Sequence, residues 1–387
     1  MMHVLILPSF YTDTEKPVVG AFFKEQALAL HKMGTEVHIA YVEPRRLRAL
    51  SRYRIIENHF QITFSEEDGL PTMRMRGWNP LMQTVPGALV WSLLTERLID
   101  CYVKRFGAPD LIHAHNSLWA GYAASKVKKR YDIPYVVTEH STGIAANAIP
   151  NLAKSFVRRT FSDANAIVSV SRGLANAMKP YCGGKDVIVV PNVVQTDYFS
   201  LSPNRSQTPP FIFLGIANLV ERKGFHVLIK AFAKRFKNKH NVRLEIGGDG
   251  PQRRNLEVLC KTLGIEDNVS FLGALSREQV REAMWRAHAF VLPSFLETFG
   301  VVLIEAMSTG LPVIATNCGG PEYIVNPKVG VLINPGDEIG LGDALQWMLD
   351  KSRFLYRDIR EHTISHYGEP TVATSLQNIY QEIFKER

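Results

Sequence analysis

Two carboxylates in apolar company, Glu297 and Glu305 of FLETFGVVLIEA, hold the most chemical promise in this chain. Charged groups are seldom buried without a partner. Gly300 lies between the two acids, and the segment follows the strand-like AFVLPS. That order predicts a strand, a turn and a buried helix beginning near Gly300. The amides around Phe299, Gly300 and Val301 would then be unpaired donors at the positive end of a helix dipole, a ready phosphate site. Glu297, in the loop ahead, can accept hydrogen bonds from hydroxyls. Glu305 lies further along an otherwise apolar helix and needs a partner, which sugar hydroxyls could supply. A structural reading stands beside this one: Glu297 helps cap the helix and Glu305 pairs with a lysine.

Other residues of chemical interest also end strand-like runs. PDLIHAHNS carries His113, His115 and Asn116, and YVVTEHST carries His140. An imidazole can handle a proton or a ligand near neutral pH. His113 and His115 alternate along a strand and are expected to face opposite sides, with His115 and Asn116 toward a cleft and His113 in the core. ANLVERKGF places Asn218, Arg222 and Lys223 in a loop after another strand, and EKPVVGAFFKEQ places Gly20 ahead of an amphipathic helix. EPRRLRALSRYR, residues 43–54, has five arginines. It could bind an anionic group, meet a membrane surface, or be a solvated basic face. WNPLMQTVPGALVWSLL, residues 78–94, is either core or an apolar surface for a lipid.

The elements that must position these residues are legible as short apolar runs alternating with amphipathic stretches, the pattern of βα units around a parallel sheet. HVLILP, EVHIAYV, LIHAH, YVVTEH, AIVSVS and VIVVP are the strand candidates of the first half. FIFLGIA, RLEIGG, VSFLG, AFVLPS, PVIAT and GVLI are those of the second. Two doubly wound α/β domains follow, 1–200 and 201–369, with the polar, proline-rich SLSPNRSQTPPF as the seam. The last helical stretch, 370–387, has no strand after it and is expected to join the first domain. Ligands of such sheets sit beyond the carboxyl ends of the strands, so two facing domains would share an interdomain cleft.

Bulk properties narrow the class. With 387 residues, 46% hydrophobic and 21% charged, the chain reads as a folded protein of two domains. Cys101, Cys182, Cys260 and Cys318 lie far apart, which indicates neither a disulfide framework nor a zinc cluster and fits free thiols in a reducing cytoplasm. MMHVLILPSF reads as a first strand and not as a leader, and no apolar run reaches the length of a membrane span. The net charge of +8 is concentrated in the first half, where it could face an anionic partner. No Asp-x-Asp metal device, dinucleotide fingerprint, P-loop or nucleic-acid-binding motif is present.

Taken together, Glu-x7-Glu with Phe-Gly inside it, GLPVIATNCGGPEYI, VIVVPNVVQTDYF and GGDGP resemble, in order, glycosyltransferase family 4. These are retaining enzymes of the GT-B fold, of the glycosyl transferase group 1 type. The resemblance implies two Rossmann-like domains and transfer of a sugar from a nucleotide-sugar donor, UDP by default. The acceptor would be a glycan or lipid-linked hydroxyl in surface polysaccharide or glycoconjugate synthesis. Lys223 matches the family lysine that neutralises the donor diphosphate, while Asn218 stands where the family has arginine, a charge Arg222 could replace. Gly20 falls in the family's phosphate-approaching loop. His140 matches the imidazole that reaches the transferred sugar, Glu297 would orient sugar hydroxyls and Glu305 the nucleotide ribose. His115 and Asn116 would meet the acceptor. Neither cofactor nor metal is expected, and the location is cytoplasmic with peripheral contact at an anionic inner membrane face. An epimerase or phosphorylase on the same fold, a soluble acceptor, and a non-catalytic nucleotide-sugar clamp are the alternatives.

Overall fold

In a computed structural model of the chain, the described residues are 2–12, 20–45, 59–79, 81, 84–203, 205, 209–350 and 354–385. Most of the arginine-rich segment 43–54, and Pro80, Met82 and Gln83 of the apolar segment, lie outside them. So does part of the expected linker. The chain divides into two units, Met1–Val193 with Glu369–Arg387, and Val194–Gly368.

The first unit is built on β1 (His3–Pro8), β2 (Glu36–Arg45), β3 (Ile62–Glu67), β4 (Leu70–Trp78), β5 (Leu111–His115), β6 (Tyr135–Glu139), β7 (Ala166–Ser169) and β8 (Val187–Val189), in the sheet order β3-β4-β2-β1-β5-β6-β7-β8. All neighbours run parallel except β3 against β4. The helices are α1 (Ala21–Lys32), α2 (Val85–Phe106), α3 (Tyr122–Tyr131), α4 (Thr142–Ala145), α5 (Asn151–Asp163) and α6 (Arg172–Met178). Strands β5 and β6 are buried at every position, as expected of strands covered by helices on both faces. Thr84 starts α2, its side chain accepting from the Gly87 amide, and Gly107 ends it.

The second unit holds β9 (Phe211–Ile216), β10 (Val242–Gly247), β11 (Val269–Gly273), β12 (Ala289–Leu292), β13 (Val313–Thr316) and β14 (Gly330–Ile333). They form a parallel sheet in the order β11-β10-β9-β12-β13-β14. Its helices are α7 (Phe225–Phe236), α8 (Arg253–Leu263), α9 (Arg277–Arg286), α10 (Val301–Ser308), α11 (Glu338–Asp350) and α12 (Tyr356–Tyr367). The strand order reverses between β1 and β5 in one sheet and between β9 and β12 in the other. At such switch points the loops leaving adjacent strands turn to opposite faces and leave a crevice.

The seam falls at 193/194, not at 200/201. Residues beyond Val193 are held by the second unit: Val194 donates to the Tyr367 carbonyl at 2.9 Å, and Arg360 donates to the carbonyls of Thr196 and Phe199. The chain then returns through α13 (Glu369–Lys385). Val372, Leu376, Tyr380 and Ile383 of this helix recur at helical spacing and are buried with Phe23, Ala27 and Leu30 of α1. Lys32 pairs with Glu369 at 2.6 Å, and Gln377 donates to Thr35. The last helix is therefore part of the first unit's core. Among the described residues, no helix is long and apolar enough to cross a membrane. Leu376→Ala is expected to cost the first unit about 2–5 kcal/mol, read as an earlier transition in urea unfolding of the whole chain; an unchanged midpoint would show that α13 is dispensable.

Candidate active site

In the second unit, the loops leaving β9 and β12 carry the residues picked out by their spacing. The short turn Glu221–Lys223 ends at Gly224 and leads into α7. Lys223 projects from it to Glu297, with Nζ 2.5 Å from Oε1. The same oxygen accepts from Ser294 Oγ at 2.7 Å. Glu297 is 7% exposed, so most of its hydration has been exchanged for these two partners. The Thr316 hydroxyl donates to the Ser294 carbonyl, and the Glu297 amide donates to the Cys318 carbonyl. The expected roles of Lys223 and Glu297 thus meet in one ion pair. Ser294 has no charge or motif to announce it, and sequence reading missed it.

Helix α10 begins at Val301 with Gly300 at its N-cap, and no side chain caps it. The amides at its start therefore keep the partial positive charge that suits an anion. Phe299 is buried and Val301 half-buried. The Gly319–Gly320 turn lies against this start: a Cβ on Gly320 would come within 2.5 Å of the Phe299 amide nitrogen. The loop after β10 behaves alike, since a Cβ on Gly248 would meet the Ala217 carbonyl oxygen. GGDGP and GGP are thus backbone packing surfaces for the Ala217–Leu219 and Glu297–Phe299 segments. Asn218 and Arg222 are exposed, and Arg222 engages the loop through its carbonyl, which accepts from the Phe295 amide at 2.8 Å. Glu305 is half-buried, less enclosed than its apolar neighbours predict.

In the first unit, the loops after β5 and β6 are joined by a carboxylate that sequence reading passed over. Glu139 is fully buried; its Oε2 accepts from the amide and hydroxyl of Ser117, and its Oε1 from the amides of His140 and Ser141. Burial pushes its pKa up, against the pull of those four hydrogen bonds. The signal was available, as an acid inside the buried run YVVTEH.

One expectation for this unit is corrected. His113 and His115 lie two residues apart on β5, and side chains at that spacing share a face. Their rings stack at 4.4 Å. His113 is held by Tyr380 of α13 and by Thr138, and His115 Nδ1 lies 3.2 Å from His140 Nε2. His115, expected to meet the acceptor, is wholly buried. Asn116, 4% exposed, is likewise occupied: its Oδ1 accepts from the His140 amide at 3.1 Å. His140 is enclosed by Phe22 and Phe23, and its Nδ1 is buried with no hydrogen-bond partner. Gly20 is the left-handed N-cap of α1, and a side chain there would strike the Phe10 carbonyl of its own unit.

The two sheets and their switch-point loops define a glycosyltransferase of the GT-B type, built from two Rossmann-like domains. The family models agree: "Glycosyltransferase Family 4" matches residues 19–198 and "Glycosyl transferases group 1" residues 200–366. The chain belongs to this family. It is 26% identical to the putative teichuronic acid biosynthesis glycosyltransferase TuaC of Bacillus subtilis, over 99% of both chains. It is 28% identical to N-acetyl-alpha-D-glucosaminyl L-malate synthase of Bacillus anthracis, over 72% of this chain and 76% of that one. Among solved structures it is similar to sucrose-phosphate synthase from Thermosynechococcus elongatus, with a TM-score of 0.80, 19% identity and all of both chains covered. It is also similar to Anabaena HepE in complex with UDP, with a TM-score of 0.71, 18% identity, and 98% of this chain and 100% of that one covered.

The buried imidazoles make the first domain acid-sensitive. Burial pushes His113 and His140 down to about 3 and His115 well below its usual value, with neighbouring imidazoles adding to the shift in His115 and His140. All three are neutral when folded, while unfolded histidine takes a proton near pH 6.5. Their contribution is complete above that value and is lost as pH falls from about 6.5 toward 3. Glu139, shifted upward, acts oppositely as pH rises through the carboxylate range. The melting temperature should therefore fall steadily below pH 6.5, and fall less steeply in His113→Gln. Identical slopes in variant and wild type would refute this.

Proposed function

We propose that this glycosyltransferase moves a sugar, with retention of configuration, from a UDP-linked donor to a hydroxyl of a glycan or lipid-linked acceptor. The observation that carries the reading is the Lys223–Glu297 pair at the switch point of the second sheet, beside the uncapped start of α10. Lysine has three donor hydrogens, so Lys223 can keep Glu297 while donating to a phosphate oxygen. Lys223 and Ser294 both donate to Oε1 of Glu297, which leaves Oε2 for a sugar hydroxyl.

In this reading the diphosphate leaves toward Lys223 and the amides at Gly300. Their fixed positive field meets the charge that develops as the glycosidic bond breaks. The sugar passes through an oxocarbenium-like state, and the acceptor hydroxyl attacks on the face the diphosphate vacates, its proton passing to an oxygen of the departing diphosphate. The lysine and helix start supply the charge that a metal supplies elsewhere, so no metal is assigned. Glu305 is assigned to the ribose and His140 to the transferred sugar. His115 and Asn116 hold His140 in place. The name of the TuaC relative supports an acceptor in surface polysaccharide synthesis, and the UDP bound to HepE supports the nucleotide.

Lys223→Ala and Glu297→Ala are each expected to lower kcat by about 10²–10³-fold or more, with circular dichroism unchanged; Arg222→Ala should lose far less. A thermal-shift panel of nucleotide sugars tests the donor, since a ligand at 100 times its Kd stabilises by about 2.7 kcal/mol. Full transfer by Lys223→Ala, or no response to any UDP-sugar, would overturn the reading. Conversion of donor without acceptor would favour an epimerase, and binding without turnover a clamp.

A cytoplasmic location with peripheral contact at an anionic membrane face belongs to the same proposal. Val90, Leu93 and Arg97 line one exposed face of α2, and Leu81 just ahead of the helix is also exposed, whereas Trp91 is buried and donates to the Val42 carbonyl. Apolar side chains beside a basic one suit a lipid interface. Leu93→Glu should reduce co-sedimentation with phosphatidylserine vesicles at least fivefold while leaving transfer to a soluble acceptor intact; equal sedimentation would sink the membrane assignment.

A further inference from the structure

The loops of the candidate site leave the carboxyl ends of β1, β5 and β6. A separate cluster lies at the other end of the first sheet. His3 begins β1, Glu36 begins β2 and His38 follows two residues later. The parallel register places His3 opposite Glu36, and Glu36 and His38 share a face of β2. A ligand nitrogen from each ring and a carboxylate oxygen of Glu36 lie within 4.8 Å of one another. His38 Nε2 is 3.6 Å from Glu36 Oε1, and the two rings are 4.7 Å apart.

Groups behind the cluster hold both imidazoles in place. The hydroxyl of Tyr102, a buried residue of α2, lies 2.6 Å from His3 Nε2 and 2.6 Å from His38 Nδ1. Its oxygen has two lone pairs and can accept an N–H from each ring, at the cost of its own donated bond. That arrangement leaves the remaining nitrogen of each ring unprotonated, the state required of a metal ligand. Ligating histidines commonly use their second nitrogen in this way, which fixes ring orientation. Phe106 packs edge-on against His38, and Asp110 accepts from the His3 amide at 2.8 Å. Glu36, by contrast, is exposed. It can close the remaining distance, and its side of the cluster is open to water.

We propose that His3, Glu36 and His38 form a binding site for a zinc-like divalent transition ion. Two imidazoles and one carboxylate match the ligand preferences of zinc, nickel or copper, whereas calcium and magnesium favour sets made of oxygen alone. Ligand bonds of about 2.0–2.2 Å require the set to contract, and the mobile carboxylate at the strand start supplies that movement. A bound ion would tie the first residues of β1 and β2 together and, through Tyr102, to α2. It would act on the stability of this domain and takes no part in the sugar chemistry.

The test is titration of the metal-free full-length protein with Zn²⁺ in a calorimeter, paired with thermal melts. Wild type is expected to bind one Zn²⁺ that is lost from the variants His3→Gln and Glu36→Gln, each weakening it at least about tenfold, and to melt higher with the ion bound. Glu36 is exposed, so Glu36→Gln tests the site without endangering the fold. His362 and His366 form a second imidazole pair on α12, with rings 4.2 Å apart, and His362→Gln serves as the control. The proposal fails if Zn²⁺ shows no saturable binding up to about millimolar concentration. It also fails if His3→Gln and Glu36→Gln bind as wild type does, or if only His362→Gln abolishes binding.

Discussion

The ion pair of Lys223 with Glu297 is the interaction around which the second domain's site is arranged. Each charge is largely withdrawn from water, and each would be costly alone. The pair can form because strand order reverses between β9 and β12, which brings two loops distant in sequence to one crevice. Ser294 donates to the carboxylate, and Thr316 in turn holds the Ser294 carbonyl. Under the proposed function, an ammonium held this way would meet a donor phosphate already oriented, with little rearrangement left for the moment of reaction.

The first domain solves a related problem without a salt bridge. Glu139, buried and saturated with hydrogen bonds, joins the loops after β5 and β6. Three buried imidazoles, His113, His115 and His140, follow one another in contact, and His113 is anchored by Tyr380 from the last helix. The C-terminal helix therefore does more than cover the core. It holds the base of the histidine group whose outermost member, His140, is assigned to the sugar. His115 and Asn116, expected to meet an acceptor, both contact that imidazole's residue.

Membership of glycosyltransferase family 4 places these arrangements in context. A relative with only about a quarter of its residues identical aligns over nearly the whole chain, and solved structures with lower identity share the fold. Asn218, which the resemblance sets where the family is expected to have arginine, is exposed and neutral. The diphosphate field assigned to this site therefore rests on Lys223 and the start of α10, with Arg222 at the solvent edge.

Alternating apolar runs sufficed to place two doubly wound domains, because strands buried on both faces leave an unmistakable apolar signal. The spacing of Glu297, Gly300 and Glu305 located one loop and helix start for the same local reason. What the sequence could not decide was which distant groups meet. Lys223 meets Glu297 through sheet order, and Tyr380 meets His113 through the return of the last helix to the first unit; both are properties of the whole chain. The glycines of GGDGP and GGP were visible as turns, yet the backbone each one lies against became visible only in three dimensions. The boundary moved to Val193 because hydrogen bonds to Tyr367 and Arg360, not composition, determine which unit holds residues 194–199. Local pattern follows from local chemistry; partnership between remote residues follows from packing alone.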